Sequence, residues 1–183
     1  TPLRHGLTAL AAAGCKVTSL HPMFGPDTEL LSGRHLVFID LGHAGALREA
    51  QALFSATMVA QAVMSLDDHD RLMGYVLGLS HALNITFFTA LAGSHEMADR
   101  LAQASSTTFD RQFAIARGVA AENPHLYYEI QHLNAHGAEA LAALESALAK
   151  VLATIRAGDE AAFVDVMRAG QRYLETHAQG AAR

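Results

Sequence analysis

The sequence predicts an α+β fold that is mostly α, with strands confined to residues 1–66 and helices alone over 67–183. Three observations predict it. Up to Ser65-Leu66-Asp67, short apolar runs of strand length alternate with helical stretches, as in a parallel α/β sheet. Beyond Asp67 the strand-like runs vanish and Ala, Leu, Glu and Gln take over. The chain is 51% apolar over 183 residues, enough for a sizeable core in one domain or one and a fraction.

The elements follow in order. Residues 2–13 read as a helix rich in Leu and Ala, with Gly14 as its stop. Residues 15–20 read as a strand, and His21 closes it before a rigid turn. Gly33-Arg34 turns the chain into 35–40, an apolar run expected of a buried strand. Residues 44–56 read as a helix and 58–64 as a strand. Asp67 or Asp68 caps a helix running to about Ala92, where Gly93-Ser94 breaks it. A shorter helix covers 95–104, a polar linker 105–108 and another helix 109–121. Asn123 is an N-cap with Pro124 at the first helical position, and that helix continues to Arg156. Asp159 caps the last helix, which carries Phe163, Val164, Met167 and Tyr173. The domain boundary falls near residue 66.

Leu126, Ile130, Leu133, Leu141, Leu144, Leu148 and Val151 recur at helical spacing, with Gly137 filling a gap where a neighbouring helix would approach. The row reads either as an internal core stripe or, being wider than one fold would bury, as a surface for oligomerisation. Other partners are excluded by composition. Thirteen Lys and Arg against eighteen Asp and Glu leave a net charge of −5 with no basic block, so nucleic acid is not expected. Cys15, the single cysteine, allows no internal disulfide, suits a reducing cytoplasm and reads as a buried small residue. The stretch 73–92 comes nearest to a membrane span, but Ser80, His81 and Asn84 interrupt it, and it reads as a helix buried inside a protein. No basic-then-apolar signal opens the chain. A cytoplasmic protein without a membrane partner is the expectation.

The run His21-Pro22-Met23-Phe24-Gly25-Pro26 carries the most chemistry. The prolines fix their own φ angles and push His21 and Gly25 toward extended geometry. Gly25 permits a sharp turn or a close backbone approach. An imidazole held so tightly, with an unperturbed pKa near neutrality, is a candidate general base. His69 and His81 lie twelve residues apart on the proposed long helix. In an unbroken α-helix that is about 18 Å along the axis and about 120° around it. They can line different parts of one elongated cleft, although His69 reads first as an ordinary first-turn surface residue. Metal binding has a weaker case in His125, Glu129, His132 and His136, which share one face of the helix beginning at Asn123. No His-Glu-x-x-His arrangement accompanies them, no Gly-x-Ser-x-Gly elbow surrounds Ser80, and no metal is expected.

The hexapeptide, preceded by Ser19-Leu20, resembles the active-site segment of the prephenate/arogenate dehydrogenase family. The resemblance continues through Asp68-His69-Asp70, Gly78-Leu79-Ser80-His81-Ala82 and Asn123-Pro124-His125-Leu126-Tyr127-Tyr128-Glu129-Ile130-Gln131, in the same order over nearly the whole chain. It implies the closing portion of a Rossmann-type dinucleotide-binding domain over 1–66 and an all-helical substrate-binding and dimerisation domain over 67–183. It implies NAD or NADP as cofactor, a homodimer, and a dicarboxylate substrate, prephenate or arogenate. His21 is then the catalytic proton acceptor, with Pro22, Met23 and Gly25 beside the cofactor and His81 in the substrate pocket. His69, Tyr128 and Gln131 are further substrate-side candidates. The family's carboxylate-binding arginine precedes the proline of the last segment by six residues. Here that position is Gly118, so either Arg117 serves through one extra loop residue or Arg111 takes over. No Gly-x-Gly-x-x-Gly occurs in the chain, so the expectation is a fragment whose phosphate-binding half lies in front of Thr1. A non-enzymatic dimerisation or ligand-binding module on the same scaffold is the alternative, and a helical metal-binding protein a third reading.

Overall fold

The computed structural model describes residues 4–178. They form two compact units that divide between Ala140 and Leu141. The first unit opens with helix α1 (Arg4–Ala12), then strands β1 (Ser19–Pro22) and β2 (His35–Asp40), helix α2 (Ala44–Ala52) and strand β3 (Ala60–Ser65). Gly14, at φ 82°, ends α1, and Cys15 donates its N–H back to the Leu10 carbonyl at 3.1 Å. That exit turns Cys15 outward, so the cysteine is exposed rather than buried.

The strands pair in the order β1-β2-β3. β2 is the central strand, and its Leu36 and Phe38 are fully buried, as its unbroken apolar run requires. They pack with Val59, Phe24, Leu31, Leu47 and Phe54 into the core under α2. β2 and β3 run parallel, joined through α2, but β1 runs antiparallel to β2 and places His21 opposite Val37. The all-parallel expectation fails at this pair for a local reason. The segment between β1 and β2 closes through turns at Gly25–Thr28 and Leu31–Arg34 rather than a crossover helix, so the strand folds back on its neighbour.

Ser65, not Asp67 or Asp68, caps the next helix. Its Oγ accepts the Asp68 N–H at 3.1 Å and donates to the Asp68 carboxylate at 2.8 Å. The helix then runs from Leu66 to Gly93 as α3 (Leu66–Met73), a π-helical stretch (Gly74–Leu79) and α4 (Ser80–Gly93). By length and composition alone this helix would cross a membrane. Contrary to expectation, little of it is buried in the described chain. Gly74, Gly78 and Asn84 are buried, whereas Tyr75, Val76 and Leu83 are open to solvent. α5 (Ala98–Gln103) and α6 (Thr107–Ala121) follow. α6 docks on α4 through Phe109 against Phe87, ring centroids 6.0 Å apart, and through Gln112, whose Nε2 donates to Asn84 Oδ1 at 2.8 Å.

Asn123 caps α7 (Pro124–His132) as expected, its Oδ1 accepting the His125 N–H at 3.0 Å. The helix does not run on to Arg156. It stops at His132, reverses through Asn134, and restarts as α8 (Gly137–Ala157). Asn134 Oδ1 accepts the His136 N–H at 2.9 Å, while its Nδ2 donates to the Asp70 carbonyl at 2.8 Å. A Cβ on Gly137 would lie 2.9 Å from the Gln131 carbonyl oxygen. The chain's own reversal, not a neighbouring helix, is therefore what demands glycine there. The apolar row read as one stripe belongs to two helices.

The second unit holds the rest of α8 and α9 (Glu160–Ala178). They are joined at Gly158, φ 64°, where Asp159 N–H returns to the Thr154 carbonyl at 3.0 Å. Asp159 caps α9 as expected, its Oδ1 accepting the Ala162 N–H at 2.9 Å.

Gly137→Ala is expected to destabilise the protein by about 1–3 kcal/mol, because the new methyl must displace backbone rather than a flexible side chain. Chemical denaturation of the variant beside the parent protein measures it; an unchanged midpoint would remove the steric reading of the reversal.

Candidate active site

β1 alternates its side chains, and the face that carries Ser19 and His21 looks toward the start of α3. There His69 and Asp70 meet it. His21 Nδ1 lies 2.8 Å from His69 Nε2, and His69 Nδ1 lies 2.9 Å from Asp70 Oδ1. The two imidazoles meet edge-on, centroids 5.1 Å apart at 62°. Asp70 is 1% exposed, a location a carboxylate tolerates only with charged or hydrogen-bonding compensation. Arg4 supplies it, donating to Oδ2 from Nη2 at 2.8 Å and from Nε at 3.3 Å.

His69 is 6% exposed, which corrects its reading as a surface residue. The cause is tertiary. β3 leads directly into α3, so the helix's first turn lies against β2 and β3 instead of standing in solvent. Burial pushes the His21 pKa below its ordinary 6.5, and the neighbouring His69 imidazole adds to the effect. His21 is thus a neutral imidazole at neutral pH, with one lone pair to offer.

These groups line a cavity of about 420 Å³. Ile39, Met73, Leu77, Leu126 and Ile130 form apolar walls, and Glu129 and Asn134 add further polar groups. A small ligand held by apolar walls and a few convergent polar groups suits such a space.

His81 stands further along the same helix. The π stretch changes the geometry expected for it. Accommodating one extra residue in a turn removes about 100° of rotation, so His69 and His81 come within about 20° of one direction rather than about 120° apart. The His81 ring lies 4.5 Å from that of Tyr127, and burial lowers its pKa. Among the described residues its buried Nδ1 has no hydrogen-bond partner. Gln131 is close by in the fold: its Nε2 donates to the Gly78 carbonyl at 2.9 Å, and its buried Oε1 likewise has no partner among the described residues. Neither His81 nor Gln131 lines the cavity at His21.

The other expected site residues lie elsewhere. Arg111 and Arg117 are exposed on α6, because Gln112 and Ala116 take the face that meets α4. Tyr128 is exposed and stacks on His132, centroids 5.1 Å apart. Pro22 is exposed, and Met23 donates its N–H to the His35 carbonyl at 3.0 Å. Gly25 opens a turn closed by Thr28 N–H at 3.2 Å, and among the described residues none but its chain neighbours comes within 4 Å of the place a Cβ would take. The proposed metal set is dispersed. His132 stacks on Tyr128, Glu129 faces the cavity, and His136 sits beyond the end of α7 with Nε2 3.4 Å from Asp67 Oδ1. Among the described residues no three His, Cys, Asp or Glu side chains are placed to hold a metal ion. Sequence reasoning missed Asp70, Arg4, Glu129 and Asn134 as parts of the site. Asp70 had a signal in its place beside His69; Arg4, 66 residues away from Asp70, had none.

Residues 65–169 match the family model described as prephenate dehydrogenase, dimerization domain. The chain is 25% identical over 174 residues to the T-protein of Enterobacter agglomerans, covering 93% of this chain and 46% of that protein. It is 23% identical over 169 residues to a probable arogenate/prephenate dehydrogenase of Methanocaldococcus jannaschii, covering 91% and 38%. It thus spans less than half the length of these two relatives. The fold resembles the crystal structure of Synechocystis arogenate dehydrogenase, with a TM-score of 0.71 at 14% identity over 91% of this chain and 63% of that one. It also resembles Aquifex aeolicus prephenate dehydrogenase crystallised with hydroxyphenyl propionate and NAD+, with a TM-score of 0.67 at 17% identity over 93% and 63%. The family match covers more than half of the chain: it belongs to the prephenate dehydrogenase family.

The lowered His21 and His81 pKa values set a sign for stability. The unfolded chain binds these protons near pH 6.5 and the folded chain only at lower pH, so their contribution is complete above about 6.5 and lost as pH falls below it. Denaturation midpoints are expected to drop on acidification through that range, and to drop less in His21→Asn. An equal slope in both proteins would contradict the burial of His21.

Proposed function

We propose that this chain supplies the substrate-side machinery of a prephenate or arogenate dehydrogenase, with residues 1–66 closing the dinucleotide-binding domain and 67–183 forming the substrate-binding and dimerisation domain. The observation that carries the reading is the His21–His69 contact at 2.8 Å on the wall of a small, mostly apolar cavity. The substrate is a ring alcohol bearing carboxylates, prephenate or arogenate. His21, neutral and half-buried, accepts the ring hydroxyl proton as oxidation and loss of carbon dioxide convert the ring to an aromatic one. The apolar walls exclude water and take the ring.

NAD or NADP, when bound, supplies the hydride acceptor. The segment after His21 fits a neighbouring nicotinamide in one respect: the backbone at Gly25 is open, with none of the described residues beyond its chain neighbours within 4 Å of its Cβ position. Pro22 and Met23 precede it and would border the same space. The glycine-rich phosphate loop is not among the residues of this chain.

For the carboxylates the candidates are His81, Arg111 and Arg117, with His69, Tyr128 and Gln131 as neighbouring hydrogen-bonding groups. Among the described residues no arginine lines the cavity at His21. A homodimer, for which the exposed apolar faces of α8 and α9 supply surface, would complete the substrate enclosure. The place of action we assign is the cytoplasm.

His21→Asn tests the reading in the nicotinamide-binding protein, by following substrate-dependent formation of the reduced cofactor. We expect kcat to fall by about 10²–10⁴-fold with KM little changed, as for loss of a general base. Near-normal turnover would remove His21 from the mechanism. Cofactor and substrate binding without turnover in the parent protein would favour a non-enzymatic ligand-binding module instead.

A further inference from the structure

We propose that Asp70, acting through His69, fixes His21 in the tautomer protonated at Nδ1, so that Nε2 is the nitrogen presented as base. Asp70 is in this sense a positioning residue. The catalytic consequence rests on the function proposed above; the tautomer itself does not.

The assignment follows from donor and acceptor capacity along the chain of contacts. An ionised carboxylate only accepts hydrogen bonds. Asp70 Oδ1 lies 2.9 Å from His69 Nδ1, so that nitrogen carries the hydrogen. With His69 uncharged, its one N–H is the one on Nδ1 and its Nε2 holds a lone pair, whereas a charged His69 would donate from Nε2 and put the His21 hydrogen on Nε2. His21 Nδ1 lies 2.8 Å from that lone pair and must donate to it. One N–H is then spent on Nδ1, and the lone pair of His21 resides on Nε2. This is opposite to the tautomer that a free histidine side chain prefers in water.

The arrangement is built rather than incidental. Side chains at neighbouring positions of a helix diverge by about 100°, so His69 and Asp70 do not ordinarily meet. They meet because both are enclosed by the sheet beneath the first turn of α3. Arg4 holds Oδ2 and leaves Oδ1 to the histidine. Among the described residues, Asp67 lies 3.5 Å from the same guanidinium and Glu129 lines the cavity, and both are charged groups near the pair.

The proton balance is simple. The substrate O–H bond breaks, an N–H bond forms at His21 Nε2, and no electron pair moves between protein residues. The imidazolium so formed keeps its Nδ1–H bond to His69, now charge-assisted, with the Asp70 carboxylate one ring away to offset the positive charge.

Nitrogen NMR of histidine-labelled protein, at a pH above the His21 titration, reads the tautomers directly. The His21 signals are identified by their loss in His21→Asn. We expect His21 and His69 both protonated at Nδ1. His21 protonated at Nε2 would overturn the proposal, whatever the enzyme's activity. In Asp70→Asn the Nδ1–H preference of His21 should weaken and kcat should fall about 10–100-fold, with KM little changed. A His21 tautomer unaltered in that variant would also overturn it. Should Asp70→Asn not fold, the measurement on the parent protein decides alone. Normal turnover in His21→Asn would instead sink the general-base reading and leave the tautomer standing.

Discussion

A carboxylate that is almost wholly withdrawn from water sets the terms for the first compact unit. Asp70 sits where α1, α3 and the turn after α7 converge, and each gives it or its backbone a partner: Arg4 from α1, His69 beside it on α3, and Asn134 from the reversal after α7. Leaving that charge uncompensated would cost more than a typical single interaction returns, so the site and the fold are tied through one residue. The same enclosure holds His21 neutral and close to its neighbour.

Two backbone irregularities let the helices serve this centre. The π stretch at Gly74–Leu79 takes up one extra residue and rotates His81 to the side His69 occupies. Gly78 then presents its carbonyl to Gln131, so the irregular turn is also a point of attachment for α7. The reversal at Leu133–His136 does the complementary job. It stops α7 while Leu126 and Ile130 face the cavity, and turns Asn134 back onto the Asp70 carbonyl. A single helix from Asn123 to Arg156 would have carried the Asn134 side chain away from that carbonyl.

Much of this was legible along the chain. The buried central strand, the Asn123–Pro124 helix start, the Gly14 stop and the Asp159 cap are local events, decided by residues within a few positions of one another. His21 stood out for the same reason, being framed by two prolines. The errors share the opposite character. Ser65 rather than an aspartate caps α3, β1 turns antiparallel, and the long helix after Asn123 breaks in two. Arg111 and Arg117, plausible by composition and spacing, stand on the exposed face of α6 because the packing of Gln112 and Ala116 fixes how that helix is rotated.

By itself, then, the sequence determined the element types, the helix ends that carry their own capping residues, and the histidine before the proline turn. These depend on φ preferences and on hydrogen bonds spanning a few residues. Only the tertiary structure decided which groups His21 meets. The pairing of His69 with His21 spans 48 residues and that of Arg4 with Asp70 spans 66, and both arise from how strands and helices pack. No local propensity encodes such a contact, because its energy exists only once burial has removed the water that would otherwise satisfy each partner.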